Sequence, residues 1–358
     1  MSRTKTLAFW AVLLLLIAFV AEGLGYGAFS VVSGETPREF GERTFRVPRL
    51  YMTDHPFLPF LARKGTSGLV EFDSMGNRGA EPESPKRRIR IVCLGGSTTL
   101  DAGHRWDQTW PGQLQEMLGA EHYEVINAGQ SGATTADSLV KLALLHVDLK
   151  PDFVVVYHGT NDVAPSYGVG FRPDYAHRKR SIGNTPYPLF DRLPRRLEYS
   201  SLFVAVRYAL VGDRGNLWNL YTRFPVRMDF ENGPFGVATF RRNLTSMHAL
   251  CREHGARLVL GTFVYSRELA EREQGLEWAD AWQRCIDFQN ASIRALAAER
   301  PEILLADLAR SIAADGSHFV DHCHLTPKGN RAIASAFLDA IRPALRATAP
   351  PPPEGSRP

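Results

Sequence analysis

Short apolar runs at 89–94, 123–126, 153–157, 257–263 and 303–306 punctuate the chain, and between them apolar positions recur with helical spacing. The runs are continuous rather than alternating, the pattern of strands buried on both faces. Helical patterns cover 110–118, 135–148, 239–254, 278–300 and 327–345. Strands alternating with helices predict an α/β fold, a three-layer α/β/α sandwich around a five-stranded parallel sheet.

Two stretches break this rhythm. Leu7 to Ala21 is free of charge, and after Glu22 a second uncharged run reaches Val32. About 20 apolar residues span a bilayer, so residues 1–32 are predicted to form an N-terminal transmembrane helix if the glycine-rich segment after Glu22 sits in the far interface. Arg3 and Lys5 would hold the start in the cytoplasm and place the rest outside it, in the periplasm or at the cell surface. A cleaved secretory signal is the main rival. It is disfavoured because Phe19 and Glu22 spoil a small-x-small site near Ala21, and a buried soluble helix is the third reading.

Residues 33–87 are rich in proline, glycine and aromatics and read as a juxtamembrane lead-in to a domain at 88–345. Inside that domain, 163–238 separates the third strand from its helix, and an insertion of that length is expected to be functional, as a small cap over the domain. The proline-rich end, 346–358, reads as a disordered tail.

At 358 residues, 44% hydrophobic and 22% charged, the chain can form one large globular domain or two small ones. A net charge of +4 with scattered arginines argues against nucleic acid as a partner. Arg172, Arg178, Lys179 and Arg180 gather in the insertion; a solvated charged face is the expected role, and a grip on an anionic substrate or lipid headgroups is the alternative. Cys93, Cys251, Cys285 and Cys323 show neither a C-x-x-C motif nor zinc spacing. Isolated thiols are expected, with Cys251 and Cys285 the one pair considered for a bridge.

In an open parallel sheet, ligands bind beyond the carboxyl ends of the strands. Here those ends read Gly95-Gly96-Ser97-Thr98, Asn127-Ala128-Gly129-Gln130-Ser131-Gly132 and His158-Gly159-Thr160-Asn161-Asp162. "GGSTT" matches neither a nucleotide loop nor a dinucleotide fingerprint, and no cofactor is expected. A serine nucleophile needs a base, and the base needs an acid to orient it. Asp321 and His324 stand three apart before the last helix, a spacing that lets the carboxylate reach Nδ1 and turns Nε2 toward Ser97. Asp315 and His318 repeat the spacing, but only His324 precedes a Thr326 able to cap and a Pro327 able to open a helix. Asp321, His322 and Cys323 crowd one short turn and make a poor metal set, so no metal is expected.

These blocks resemble the SGNH (GDSL-type) hydrolase superfamily across 88–345. "LGGSTT" supplies Ser97, "NAGQSGATT" Gly132, "HGTND" Asn161 and "DHCH" Asp321 with His324. The resemblance implies a flavodoxin-like fold and a triad in which Ser97 attacks an ester carbonyl, His324 is general base and then acid, and Asp321 orients it. It also implies an oxyanion hole built from the backbone N–H of Ser97, the backbone N–H of Gly132 and the Asn161 amide. Gly129 is the rival glycine, with turning the chain as its simpler role. Asp162 is expected to brace the loop of Asn161, and His158 to be a packed strand-end residue. The usual aspartate of Gly-Asp-Ser is Gly96 here, which removes a carboxylate that organises the nucleophile loop. The expected function is a membrane-anchored serine esterase or acylhydrolase acting on a short acyl ester of a small molecule or glycan, O-acetyl on a surface glycan being the candidate its location suggests. An O-acyltransferase using the same residues and a non-catalytic envelope scaffold or glycan-binding protein are the alternatives.

Overall fold

The computed structural model describes residues 3–42, 52–53, 55–178, 195–211, 228–230 and 234–348. Five strands, β1 (Ile89–Gly95), β2 (Tyr123–Asn127), β3 (Phe153–Tyr157), β4 (Arg257–Gly261) and β5 (Leu304–Ala306), pair in parallel. Their order in the sheet is β2-β1-β3-β4-β5. Strand order therefore reverses between β1 and β3, and the carboxyl ends of β1, β2 and β3 open onto one crevice.

Both faces of the sheet are buried, as the continuous apolar runs require. Ile91, Cys93, Val155 and Val259 pack on one face with Leu114, Ile333 and Phe337 from the helices Trp110–Leu118 and Pro327–Thr348. Val92, Leu94, Val154, Val156 and Leu258 pack on the other with Phe240, Leu244 and Met247 from the helix Val237–Glu253. The helix Leu276–Glu299 serves both, giving Trp282 and Ile286 to the first cluster and Ile293 and Leu296 to the second. Each such side chain contributes about 1.5–3 kcal/mol through burial. The result is the expected three-layer sandwich. β4 ends two residues before the apolar run does, because the Asn290 side chain takes both backbone groups of Phe263, at 2.7 and 2.9 Å, in place of a strand neighbour.

The sheet unit begins before residue 88. Gly65–Ser67 and Val70–Phe72 form an antiparallel hairpin, and Arg78 bridges the backbone of Asn127, so the compact unit comprises 61–177 and 226–358. These strands are too short for their alternation to register as a period.

A second compact unit comprises 1–60 and 178–225. Its N-terminal helix, Arg3–Ser33, is long and apolar enough to cross a membrane. A further helix, Ser201–Val211, lies within the insertion, where no helical period is evident in the sequence. Glu22 accepts the backbone N–H groups of Ser201 and Leu202 at 2.6 and 3.3 Å, and the Ser200 hydroxyl as well. This carboxylate, anomalous in an apolar run, satisfies donors that the start of a helix leaves open. Phe29, Phe40 and Tyr208 complete the unit with edge-on ring contacts at 5.2–5.4 Å.

All four cysteines are free and buried. Cys251 and Cys285 belong to clusters on opposite faces of the sheet, so the bridge considered between them does not form. In the insertion, Arg172 is solvated and pairs with Asp174 at 3.0 Å. Arg178 departs from the solvated reading: it is buried, and desolvation lowers its pKa to about 10. Lys179 and Arg180, with the rest of 179–194, 212–227 and 231–233 of the insertion read as a cap, and the tail from 349 onward lie outside the described residues.

Arg90 is the polar knot of the sheet's amino-terminal edge. Its buried guanidinium donates to Glu124 Oε2 at 2.6 Å and to the carbonyls of Leu149 and Glu83 at 2.6 and 2.5 Å. Removing one partner of a buried pair strands the other. Arg90→Ala is expected to lower stability by about 3 kcal/mol, read from the urea midpoint; a midpoint unchanged from wild type would contradict this role.

Candidate active site

Ser97 opens the short helix Ser97–Leu100 directly after β1. It is the one residue of 91–100 that is not buried. The turn beyond it is held from below: Asn127 Nδ2 donates to Thr99 O at 2.7 Å, and the Arg78 guanidinium donates to the carbonyls of Leu100 at 2.7 Å, His104 at 2.6 Å and Asp101. Asp101 caps the turn in a left-handed conformation, and its carboxylate accepts from Asn330 Nδ2 at 2.7 Å. Asn330 Oδ1 in turn accepts the backbone N–H of Trp110 at 3.2 Å, tying the serine turn to two helices of one layer.

His324 Nε2 lies 2.9 Å from Ser97 Oγ, and His324 Nδ1 lies 2.6 Å from Asp321 Oδ2. The three groups thus form one hydrogen-bonded line. Asp321 Oδ1 also accepts the backbone N–H groups of Cys323 at 2.8 Å and His324 at 2.7 Å, so the carboxylate is fixed before it meets the imidazole. Burial opposes the charge on Asp321, yet these hydrogen bonds outweigh it and hold the carboxyl below the usual carboxylate range. The hydrogen bond to Asp321 raises His324 above its ordinary value against the opposing effect of burial. Thr326 accepts the Gly329 N–H at 3.1 Å and Pro327 starts the last helix, which places His324 just before a helix entrance.

The other histidines of this region are engaged elsewhere. His318 pairs with exposed Asp315 at 3.1 Å, and His322 with Glu273 at 2.7 Å. Asp321, His322 and Cys323 present ligand-type atoms within 4.8 Å of one another. Their chemistry does not suit a resident metal: Asp321 is committed to His324, His322 to Glu273, and burial pushes the Cys323 thiol well up, against the thiolate a metal needs.

Asn161 comes from the first turn of the helix Thr160–Tyr167, after β3, and its Nδ2 donates to Ala133 O at 2.9 Å. A Cβ placed on Gly96 would fall 2.3 Å from that Nδ2, so the missing aspartate of the sequence motif is the space that the amide occupies. Gly129 and Gly132 differ in kind. A Cβ on Gly129 would strike the backbone of Thr99 and Leu100, whereas Gly132 takes a φ of +67°, open to glycine.

Asp162 is fully buried behind Asn161. It accepts the Thr135 N–H at 3.0 Å, the Thr135 hydroxyl at 2.6 Å and the Tyr175 hydroxyl at 3.2 Å. His158 Nε2 sits 2.7 Å from Ser138 Oγ, and its Nδ1 is 3.9 Å from Asp162 Oδ2. Ser138, His158 and Asp162 repeat the residue types of the exposed line, but all are sealed at 2% exposure or less, where no substrate reaches.

Sequence reasoning missed the Arg78 clamp and an aromatic wall. Trp282 donates its indole N–H to Thr160 Oγ1 at 3.1 Å, beside Asn161. Trp278 stacks on Trp282 at 3.9 Å and meets His322 edge-on at 5.2 Å, two residues before His324. Neither contact follows from local spacing; the Trp-x-x-x-Trp interval on a predicted helix was the available signal.

The model of the GDSL-like lipase/acylhydrolase family matches residues 93–332. Esterase TesA of Pseudomonas aeruginosa is 36% identical over 74 residues, which cover 20% of this chain and 37% of the esterase. The chain thus spans little more than a third of that curated relative. Among solved structures, a GDSL-like lipase from Bacteroides thetaiotaomicron aligns at 20% identity over 72% of this chain and 89% of its own, with a TM-score of 0.43. A catalytic mutant of Axe2, an acetylxylan esterase from Geobacillus stearothermophilus, aligns at 16% identity over 70% and 93%, with a TM-score of 0.44.

Burial lifts the Asp162 pKa to about 7, against the hydrogen bonds that lower it. The folded protein therefore holds a proton that the unfolded chain has released above about pH 4. Stability from this group is full below about pH 4 and is lost as pH rises toward 7, on the order of 4 kcal/mol in all. Asp162→Asn is expected to flatten that part of the profile in denaturant titrations at several pH values. Parallel wild-type and variant profiles would count against it.

Proposed function

Since the chain belongs to the GDSL-like lipase/acylhydrolase family, we propose that it is a serine esterase whose nucleophile is Ser97, with His324 as general base and acid and Asp321 as its orienting partner. The observation that carries this is the unbroken line from Asp321 Oδ2 through both ring nitrogens of His324 to Ser97 Oγ, at 2.6 and 2.9 Å. As Ser97 Oγ attacks the acyl carbonyl, its proton passes to His324 Nε2, and Asp321 stabilises the imidazolium. The carbonyl oxygen becomes an oxyanion between the N–H groups of Ser97 and Gly132 and the Asn161 amide. Collapse returns the proton from His324 to the departing alcohol and leaves an acyl-serine. Water, deprotonated by the same histidine, then releases the acid and restores Ser97.

The substrate is read as a short acyl ester, O-acetyl on a surface glycan being the candidate. The N-terminal helix is read as an uncleaved anchor that keeps the catalytic unit outside the cytoplasm, the side remote from Arg3 and Lys5. Supporting a ring-shaped substrate, half-buried Trp278 stacks on buried Trp282, a pair in contact with Thr160 beside Asn161 and with His322 beside the loop of His324.

A fluorophosphonate probe is expected to label the wild-type protein and leave Ser97→Ala unlabelled; equal labelling of both would sink the assignment. Gly96→Ala is expected to push the Asn161 amide aside and lower kcat on an aryl acetate by about 100- to 1,000-fold, the effect of losing one oxyanion donor. The Tm should stay near wild type, because the displaced atom is the tip of a side chain. Full activity in this variant would remove Asn161 from the oxyanion hole.

A further inference from the structure

The helix Ser201–Val211 presents Leu202, Val206 and Leu210 on one stripe, 40, 46 and 68% exposed. A helix facing water carries polar residues at such positions. Its contacts with the N-terminal helix advance in step along both: Glu22 meets Ser200 and Ser201, Gly25 meets Leu202, and Phe29 packs with Val204 and Tyr208. The two helices therefore run side by side in the same direction. At Gly25 they touch backbone to backbone, since a Cβ there would lie 2.6 Å from Leu202 Cα. Small residues permit this approach where helices associate within lipid.

The depth follows from helix geometry. Measured from Leu7, where the uncharged run begins, Glu22 lies about 22 Å along the axis, which leaves about 7 Å of a roughly 30 Å hydrocarbon core and the headgroup zone beyond it for Ser201–Val211. The remainder of the N-terminal helix, with Leu24, Val31 and Val32 at 69, 86 and 73% exposure, continues outward through the same zone as Ser201–Val211. The apolar surface of one helix runs into that of the other.

We propose that Ser201–Val211 is a second membrane-embedded element, lying beside the outer third of the anchor at the boundary of acyl chains and headgroups, with lipid covering Leu202, Val206 and Leu210. This rests on reading the N-terminal helix as an uncleaved anchor. Glu22 is tolerated at that depth because its charge is spent on the N–H groups of the second helix. The insertion thus returns the chain to the bilayer after the third strand of the sheet.

Val206→Cys, labelled with an environment-sensitive fluorophore in the full chain and reconstituted into phosphatidylcholine vesicles, tests this. The native cysteines are buried, so the new thiol is the one labelled. Emission from Val206→Cys is expected to be lost to lipid bearing a nitroxide near the headgroup end of its acyl chain, and spared by aqueous iodide. Leu14→Cys, in the middle of the anchor, is expected to respond most to a nitroxide at the far end of the chain. Iodide quenching of Val206→Cys while Leu14→Cys remains lipid-quenched overturns the second element and leaves the anchor standing. Silence of Val206→Cys to both quenchers would mean a protein covers the stripe, which also overturns it. Failure of Leu14→Cys to respond to lipid removes the anchor and this inference together.

Discussion

The reactive edge of this molecule depends on an absence at one position. A side chain at residue 96 would displace the Asn161 amide, which occupies the volume a Cβ would take. That vacancy lets the end of β3 close on the end of β1, with the Ala133 carbonyl from the loop after β2 holding the amide in place. Three strand ends thus meet within a few ångströms, at the point where sheet order reverses. The aspartate common in related motifs and the amide's position here exclude each other sterically.

Environment, more than residue identity, separates the two serine–histidine–aspartate series. Ser97, His324 and Asp321 sit at a rim, where backbone N–H groups keep the acid charged and the imidazole is held above its ordinary pKa. Ser138, His158 and Asp162 lie beneath the same loops without solvent, and burial drives Asp162 toward its neutral form. The first arrangement is partly exposed to solvent; the second fastens the loop that carries Asn161 to the helix starting at Thr135. The buried carboxyl next to Asn161 makes that fastening sensitive to protons.

Much of this was legible in the chain because strands buried on both faces leave continuous apolar runs and parallel crossovers leave helical spacing between them. The residues at the strand ends were legible too, since glycines and polar groups there interrupt otherwise apolar text. What stayed hidden acts across long separations. Arg78 reaches the serine turn from a stretch with no period of its own, and Trp282 reaches Thr160 over more than a hundred positions. Glu22 was visible as an anomaly and unexplained, because the N–H groups it satisfies belong to a helix whose eleven residues follow an aperiodic insertion. Tertiary partners override local pattern wherever a polar group is needed for one specific donor.

The pairing of the first helix with Ser201–Val211 bears on how interchangeable the protein's parts are. An apolar helix that merely tethers or targets can be exchanged for any apolar segment of equal length. This one contributes a capping carboxylate, a glycine at a backbone contact and a phenylalanine in an aromatic cluster. Grafting a generic apolar leader in its place would leave the second helix without its first-turn partner and expose the rings of Phe40 and Tyr208. The leading segment is thus a structural component of its compact unit, through the three positions Glu22, Gly25 and Phe29.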